Sequence, residues 1–356
     1  MTALASTAPS PDPAPDSAPT REPAAAPRQT RWLLRLHRSA LCVWAGIVVV
    51  VSTALLWLWG PLTDAAAAGW RQYDACGTAA RCTYDQPAIL LYKAVYQYAT
   101  VAVLAVPFLV AAWAGATLIG RELETGTARL AWTQSVSPAR WLANKLAVPA
   151  ALIAVGTGLP AGLHHLAWSA GRGRIGTAKS WYDPTTFYTG GPTIVALALV
   201  GLAAGALAGL AWRRAIPALI TSVVATAGVF GILRLALPYL WPGETRVSGL
   251  EPGVPAGVGV TVDEGVLTST GDRLPDPCGI DQLSCDATYD KFDVVSYYRD
   301  YHPFSHYWVL QLTSTALALA IGGVLVLVAF RVLKRRTGAA PTRGGGGTPA
   351  PGKTPA

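Results

Sequence analysis

The chain has 356 residues, of which 52% are hydrophobic and only 13% are charged. Its mean hydropathy is +0.35, and an ordinary soluble domain carries roughly twice this charged fraction. For the bulk of the chain these values exclude a disordered, collagen-like or disulfide-scaffold protein. They predict a multi-spanning membrane protein.

Six segments are long and apolar enough to cross a bilayer, since a spanning helix needs about 20 mainly apolar residues. They are Ala40–Trp59, Tyr98–Ile119, Leu146–Trp168, Thr193–Trp212, Ile216–Leu237 and Trp308–Phe330. The sequence therefore predicts an all-α membrane protein with six transmembrane helices. It also predicts a small disulfide-containing outer domain between helices 5 and 6.

The basic residues predict the orientation, because cytoplasmic loops are enriched in Lys and Arg. With both termini inside, the inner side holds 17 of the 28 basic residues and five of the 20 acidic residues, a net charge of +12. The outer loops have a net charge of −5, and Arg234 lies within the fifth span. The overall charge of +8 thus reflects topology and not nucleic-acid binding. We expect a multi-pass protein of the cell membrane with cytoplasmic termini, whose partners include the lipid bilayer and no nucleic acid.

The predicted regions follow from composition. In chain order they are a disordered Ala/Pro-rich cytoplasmic tail (1–29), an interfacial helix with transmembrane helices 1–5 (30–240), an extracytoplasmic acidic loop domain (241–306), transmembrane helix 6 (307–336) and a disordered cytoplasmic tail (337–356). At Thr30–Ser39, apolar and basic side chains separate onto two helical faces. This pattern favours a helix on the inner leaflet over a simple charged flank of the first span.

Four of the five cysteines form two closely spaced pairs on the predicted outer side. Cys76 and Cys82 lie in the outer loop 60–96, Cys278 and Cys285 lie in the 241–306 domain, and Cys42 lies in the first span. We expect two local disulfides, because close pairs on an oxidising face commonly pair locally. Pairing between the two loops is the open alternative, and a zinc site of four thiolates is less favoured on this face.

The 241–306 segment contains eleven acidic and four basic residues. Two β-rich runs, Val258–Val262 and Val266–Thr270, flank Asp263-Glu264-Gly265, which predicts a short hairpin. A negative field of this kind can concentrate cationic ligands. A solvated cap is the interpretation that we favour.

Two phosphate-binding patterns occur outside their usual structural context. GTPAPGKT at Gly347–Thr354 lies in a Gly/Pro-rich tail, and GRGRIG at Gly171–Gly176 lies in a predicted outer loop. A working P-loop or dinucleotide site needs a preceding strand and a following helix. We therefore expect no nucleotide or other cofactor on this chain.

The histidines and intramembrane charges give no catalytic constellation. His302 and His306 are four residues apart and form a candidate metal pair, although interfacial histidines are the favoured interpretation, and we predict no metal site. His164 and His165 lie near the outer end of the third span and are expected to face water. No acidic residue lies inside a span, which argues against an ion-coupled carrier.

The fourth span carries a glycine stripe. It reads GLAAGALAGLAW, in which Gly201, Gly205 and Gly209 recur every four residues and share one helical face. Small residues in this pattern permit close helix packing. The pattern leaves open whether the partner helix belongs to the same chain.

The inner loop between the second and third spans, Gly120–Lys145, combines charged and aromatic residues. Gly126 is expected to end the helix that continues the second span, and a short second helix can follow. Ser137-Pro138 then predicts the start of the third helix, with Ser as N-cap and Pro as first helical residue. Mixed charge and exposed Trp132 and Trp141 favour docking to a cytosolic protein. A membrane-surface hairpin without a partner is the alternative.

Six spans with a loop of this form resemble the ABC-2-type permeases, the membrane subunits of ABC exporters, and the Ala/Gly/Pro/Arg-rich composition is typical of a high-GC bacterial source. In that family the loop carries an acidic residue, then Gly-Thr, then a stretch with Ser and Lys before the third span. The matching positions here are Glu122 or Glu124, Gly126, Thr127, Val136, Ser137, Arg140 and Lys145. The resemblance implies that this loop contacts a separate cytosolic ABC ATPase subunit, which would bind ATP and Mg²⁺.

The resemblance further implies export of a drug-like, peptide or lipid substrate by alternating access. The permease would work as a homodimer or with a similar permease chain, and ATP hydrolysis would occur on the partner, so that this chain is not itself an enzyme. The candidates for charged docking are Glu122, Glu124, Arg129 and Arg140. The alternative function is a membrane scaffold or sensor whose acidic ectodomain binds a partner.

Overall fold

The computed structural model describes residues 38–78, 81–133, 137–251, 253–255, 258–278 and 285–338. Within these ranges, six helices are long and apolar enough to cross a membrane by length and composition. They are α1 (Arg38–Ala75), α2 (Gln86–Glu124), α4 (Pro138–Gly171), α6 (Pro192–Trp212), α7 (Ala215–Ala236) and α9 (Tyr307–Thr337). Five of them contain a predicted segment whole, and α7 contains all of its segment except Leu237, which confirms the all-α membrane architecture.

The described residues also contain three short α-helices, and 3-10 turns at Leu237–Tyr239 and Phe304–His306. The three helices are α3 (Thr127–Thr133), α5 (Pro184–Thr189) and α8 (Asp286–Lys291). The predicted interfacial helix lies outside the described residues except for its last two, which begin α1. The 1–29 tail, all but the first two residues of the 337–356 tail, and Val136 also lie outside them.

The predicted outer loop 60–96 is mostly helical. After a π-helical turn at Leu58–Leu62, α1 continues through Thr63–Ala75, where an alanine run favours helix. Asp85 then begins α2 as its N-cap, accepting a hydrogen bond from the Ala88 N–H at 3.1 Å. The Cys76–Cys82 disulfide, with its Cα atoms 5.7 Å apart, joins the two helix ends. The predicted outer loop is therefore largely a helical hairpin that this disulfide closes.

Helix α6 is the centre of the bundle. Of its most apolar 18-residue window, 78% is buried, compared with 17% for α1 and 22% for α7 and α9. Its glycine stripe packs against α2 of the same chain. A Cβ on Gly205 would lie 2.6 Å from the Ala114 Cβ, and one on Gly209 would lie 2.8 Å from the Ile119 Cβ. A Cβ on Gly201 would overlap the Pro107 carbonyl oxygen. The stripe therefore allows the backbones of α2 and α6 to come into direct contact.

The part of α2 that meets this stripe is a π-helical segment, Ala114–Gly120. On the opposite side, a Cβ at Gly115 would lie 2.8 Å from the Ala218 carbonyl oxygen and from the Ser222 hydroxyl oxygen of α7. The Ser222 hydroxyl donates a hydrogen bond to the Ala111 carbonyl at 2.9 Å. The end of α2 is thus held between α6 and α7, next to the loop that follows it.

Between α7 and α9 in the sequence, the chain forms a four-stranded antiparallel sheet, in which the strand order is β1-β4-β2-β3. Their bounds are Glu244–Gly249 (β1), Val260–Thr268 (β2), Arg273–Leu274 (β3) and Val294–His302 (β4). The Cys278–Cys285 disulfide, with a Cα separation of 5.8 Å, borders the small core under this sheet. Both disulfides therefore have the local connectivity that the spacing predicts. We call this end of the helix bundle the sheet end, and the end with the Gly120–Lys145 loop the loop end.

The predicted hairpin turn at Asp263-Glu264-Gly265 was wrong. These residues lie in the middle of β2, with a register shift at Thr261–Asp263. Asp263 accepts a hydrogen bond from the Tyr298 hydroxyl at 3.0 Å, and Glu264 pairs with Arg299 at 2.8 Å. Contacts to β4 thus hold a turn-like sequence as strand. The chain reverses later, after Thr268, at a turn in which Gly271 has a φ of +85°.

Candidate functional site

Glu122 and Lys145, at the two ends of the Gly120–Lys145 loop, form an ion pair. Their side chains are 17% and 3% exposed. The Lys145 ammonium also donates a hydrogen bond to the Leu118 carbonyl at 3.3 Å and lies 5.6 Å from the centre of the Trp141 ring. A buried cation needs such partners, because desolvation is costly. The pair therefore fastens α2 to α4 where the loop leaves and rejoins the bundle.

Glu124 connects the same loop to a third span. Its carboxylate accepts a hydrogen bond from the Ala215 N–H at 3.0 Å, at the first residue of α7. A carboxylate at a helix N-terminus satisfies an unpaired N–H and interacts favourably with the helix dipole. The loop is thereby attached to α2, α4 and α7.

The loop has the predicted helix–break–helix form. The extension of α2 ends at Glu124, Gly126 has a φ of +76°, and α3 follows from Thr127. A positive φ favours glycine, because a Cβ is strained there. The Thr127 hydroxyl donates to the Glu122 carbonyl at 3.2 Å across the break. Ser137 is the N-cap of α4, with its hydroxyl accepting from the Arg140 N–H at 3.4 Å, as predicted.

From the sequence, Trp132 and Trp141 were expected to be exposed, and this expectation was wrong. Trp141 is 7% exposed, and its ring meets that of half-buried Trp132 edge-on at 5.7 Å between centroids. The two rings pack together because α3 folds back onto the start of α4. The exposed apolar side chain of α3 is Leu130, at 64%. Exposed Arg129 and Arg140 lie on the same short stretch of chain.

The predicted loop residues thus fall into two groups. Glu122, Glu124 and Lys145 bind other parts of this chain, although Glu124 is also exposed, whereas Arg129 and Arg140 are exposed and lie on the loop surface. Sequence reasoning treated all the charges as outward-facing, because nothing in the local pattern reveals a pair 23 residues apart. It also missed Arg336, whose guanidinium donates to the Leu210 and Ala211 carbonyls at the end of α6. The sequence signal for this contact is only the general tendency of basic residues near the end of a helix to bind carbonyl groups.

A polar cluster lies inside the bundle nearer the sheet end, formed by Tyr96, Thr100, His164, Thr186 and Thr189. The His164 Nε2 lies 2.8 Å from the Thr100 hydroxyl and 3.3 Å from that of Thr189. The Tyr96 and Thr186 hydroxyls are 3.1 Å apart. Intramembrane polar groups of this kind are costly and commonly functional.

The polar cluster corrects the expectation that His164 faces water. His164 is 0% exposed, and the adjacent His165 is half-buried, with its Nδ1 3.3 Å from the Tyr307 hydroxyl. Sequence reasoning missed the cluster because its members come from three helices, α2, α4 and α5, that are distant in the sequence.

His302 and His306 are also close, with their Nδ1 atoms 3.2 Å apart. The His302 Nε2 lies 3.0 Å from the Pro238 carbonyl, and the His306 Nε2 lies 3.7 Å from Glu244. Among the described residues, no group of three His, Cys, Asp or Glu side chains could hold a metal ion. The pair joins β4 to the start of α9.

Six apolar helices around a tightly packed central span define a multi-pass membrane protein. The family model described as ABC-2 membrane transporter related matches residues 45–238. This match covers more than half of the chain, and the chain belongs to that family. It is therefore a permease component of an ABC transporter, and an ABC ATPase partner is implied in general. Comparisons with curated proteins and with solved structures found no match.

Proposed function

We propose that this permease exports an amphiphilic substrate, which is a drug-like molecule, a peptide or a lipid, by alternating access. A separate cytosolic ATPase subunit, with ATP and Mg²⁺ bound to it, would supply the energy. The surplus of basic residues at the loop end supports placing both termini in the cytoplasm and the protein in the cell membrane.

The observation that carries this proposal is the attachment of the loop to three spans. Glu122 is paired with Lys145 of α4, and Glu124 accepts a hydrogen bond from the first residue of α7. Since α2 itself runs into the loop, a push on the loop reaches α2, α4 and α7 together. The family match includes the whole of this region.

The exposed side chains of the loop are the proposed docking surface for the ATPase. Arg129 and Arg140 supply positive charge, and Leu130 supplies an apolar contact that is 64% exposed. An apolar anchor with charges around it is typical of protein interfaces. We propose Glu122, Glu124 and Lys145 as the groups that transmit movement rather than as groups that touch the ATPase.

A second permease chain, identical or similar, is the proposed partner within the membrane. Helices α1, α7 and α9 bury only 17–22% of their most apolar windows within this chain. Their outer faces are therefore available to lipid or to another permease chain, as expected for a subunit that assembles in the bilayer.

The test is co-purification of the tagged full-length protein from its native cells in mild detergent. We expect a near-stoichiometric soluble ATPase to be recovered with the wild type and to be lost from the Arg129→Glu/Arg140→Glu variant. The matched control is Lys334→Glu/Arg335→Glu, which reverses two exposed charges at the end of α9. This control should retain the ATPase.

Equal recovery of the ATPase with both variants would contradict the proposed docking surface. Recovery of a different protein, dependent on residues 241–306, would favour the scaffold or sensor function instead.

A further inference from the structure

A cavity of about 620 Å³ opens at the sheet end, between the end of α1 and the segment that follows α4. Its size falls within the range of small-molecule sites, which is about 300–1,000 Å³. Its floor is apolar and buried, and includes Ala67, Trp168, Ile175 and Trp181. Its rim is polar and exposed. A buried apolar floor below a polar rim suits a ligand with one apolar and one polar part.

Contacts within the chain hold the residues that line the cavity in place. The Trp168 indole N–H donates to the Lys179 carbonyl at 2.9 Å, and Arg174 pairs with Asp64 of α1 at 2.7 Å. Gly176 lies so close to the Trp70 ring that a Cβ there would overlap the indole. A pre-formed site loses little conformational entropy on binding.

The charge of the lining is positive. Its basic residues are Arg71, Arg172, Arg174 and Lys179, and its acidic residue is Asp74. Arg174 and Lys179 already pair with Asp64 and Asp183. The outer loops as a whole are acidic by sequence, so that the positive charge is a local feature of the cavity.

Arg172 is arranged to receive an anion. The centre of its guanidinium lies 3.7 Å from the centroid of the Phe304 ring and 5.6 Å from that of Trp168. Stacking uses the flat face of a guanidinium, and its N–H donors lie along the edge. Those donors match the oxygen atoms of a carboxylate or phosphate.

Trp181 gives an independent indication. It lines the cavity and is 5% exposed, and its buried indole N–H has no hydrogen-bond partner among the described residues. Buried polar groups nearly always have partners, and an unpaired one is costly. The nitrogen itself has no surface open to the cavity, so an acceptor atom on a ligand would satisfy this donor only after the indole turns toward the cavity.

From these features we infer that the cavity binds an amphiphilic anion, with its carboxylate or phosphate at Arg71 and Arg172 and its apolar body on the tryptophan floor. The ligand can come from the membrane, as the headgroup region of an anionic lipid, or from solution. The site lies at the opposite end of α4 from the loop, so that it does not depend on the proposed ATPase docking.

The test uses the full-length protein in nanodiscs of phosphatidylcholine, titrated calorimetrically with naphthyl phosphate. Naphthol and naphthylmethylammonium are the neutral and cationic comparison probes. We expect saturable binding of the phosphate and at least about tenfold weaker binding of the other two, because a hydrogen bond to a charged group contributes about this much. Competition by phosphatidylglycerol in the nanodisc would identify a lipid source, and undiminished binding a soluble source.

Variants separate the site from the rest of the surface. Arg71→Gln/Arg172→Gln should weaken naphthyl phosphate binding about tenfold or more, and Trp181→Phe, which keeps an aromatic ring, about threefold to fivefold. Lys93→Gln removes one cation at the start of α2, outside the cavity, and should bind like the wild type. Unchanged thermal unfolding shows that each variant is folded.

The inference is overturned if naphthyl phosphate does not bind, if naphthol or the cation binds as tightly, or if the double variant binds like the wild type. None of these results would alter co-purification of the ATPase. The failure of this site and the failure of the proposed function are therefore distinguishable.

Discussion

At the loop end, a few polar side chains each bind the backbone or a charge of a neighbouring helix, as Glu124, Lys145 and Arg336 do. At the sheet end, a four-stranded sheet, two disulfides and many aromatic contacts hold the chain together. The family match ends at residue 238, just before the sheet begins. The match thus includes the loop and the Cys76–Cys82 disulfide, whereas the four-stranded sheet lies outside it.

Both ends combine contacts that are local in the sequence with contacts that reach far along it. The disulfides close loops of six and seven residues, and β2 and β3 pair across a short turn. At longer range, Arg174 and Asp64 of the sheet end are 110 residues apart, and Glu124 and Ala215 of the loop end are 91 residues apart. Strand pairing in the sheet stays within residues 244–302, so we expect damage in this segment to stay local and damage at the loop end to reach several spans.

The largest expected effect is that of Gly205→Leu. A side chain at this position would meet the Ala114 Cβ and the Gly115 backbone nitrogen, at 2.6 and 2.7 Å from its Cβ. Because backbone atoms cannot move aside, we expect a loss of about 3 kcal/mol or more and little monodisperse protein. The matched control is Gly228→Leu on α7, where a Cβ meets nothing within 4 Å. The yield of monodisperse protein in size-exclusion chromatography and the Tm are measured for both variants. Equal yield and equal Tm for Gly205→Leu and Gly228→Leu would contradict the importance of the α2–α6 contact.

The next effect is that of Lys145→Met, which leaves the largely buried Glu122 carboxylate without its cation. Breaking a buried pair from one side is costly, and we expect a loss of about 2–3 kcal/mol and of substrate-stimulated ATPase activity in the complex. The Glu122→Gln/Lys145→Met variant removes both charges and should recover much of the Tm. If it also recovers full ATPase stimulation, the pair is structural and does not transmit movement.

A smaller and local effect is expected for Cys278→Ser/Cys285→Ser. The disulfide closes a loop of seven residues next to the core under the sheet, and its loss should destabilise this region by roughly 2 kcal/mol. Limited proteolysis should cut within residues 241–306 sooner, while the ATPase co-purifies as with the wild type. Loss of the ATPase would show that the two ends are not independent.

The smallest expected effect is that of Asp183→Asn, and it depends on pH. Burial alone would raise the pKa of Asp183, but hydrogen bonds from Thr185 and Thr186 and the Lys179 charge outweigh burial and lower it. The carboxylate thus stabilises the fold above its unfolded pKa of about 3.9, and this contribution is lost as pH falls through the lower folded pKa.

We therefore expect the Tm of Asp183→Asn to lie slightly below that of the wild type at neutral pH, by the equivalent of about 0.5–1 kcal/mol. The difference should shrink below about pH 4. Glu251→Gln, which changes an exposed acid in a turn, is the control. If the Tm difference between Asp183→Asn and the wild type persists below about pH 4, the hydrogen-bonding geometry of Asp183, and not its charge, stabilises the fold.

Much of the fold could be predicted because its signals are local. A span shows as a long apolar run, Gly126 and Ser137 mark a helix end and a helix start, and two close cysteine pairs give two local disulfides. The face of the glycine stripe could also be predicted, since it needs only the helical period. Each of these inferences uses residues within a few positions of one another.

The remaining features depend on partners that are distant in sequence. Lys145 faces Glu122 and not solvent, and His164 faces Thr100 and not water, because helices from different parts of the chain meet there. Asp263-Glu264-Gly265 looks like a turn until Tyr298 and Arg299 hold it as strand. The cavity at the sheet end likewise combines α1 with residues 168–182.

Helix α2 runs without interruption for 39 residues, from beside the first disulfide to the loop. At 1.5 Å per residue it is about 58 Å long, almost twice the thickness of the hydrocarbon core. Its loop end is attached to α4 by the Glu122–Lys145 pair. If the helix tilted rigidly by about 5° about this end, the opposite end would move by about 5 Å. The proposed alternating access would therefore need only a small tilt of α2 to move side chains at the far surface by more than the width of a water molecule.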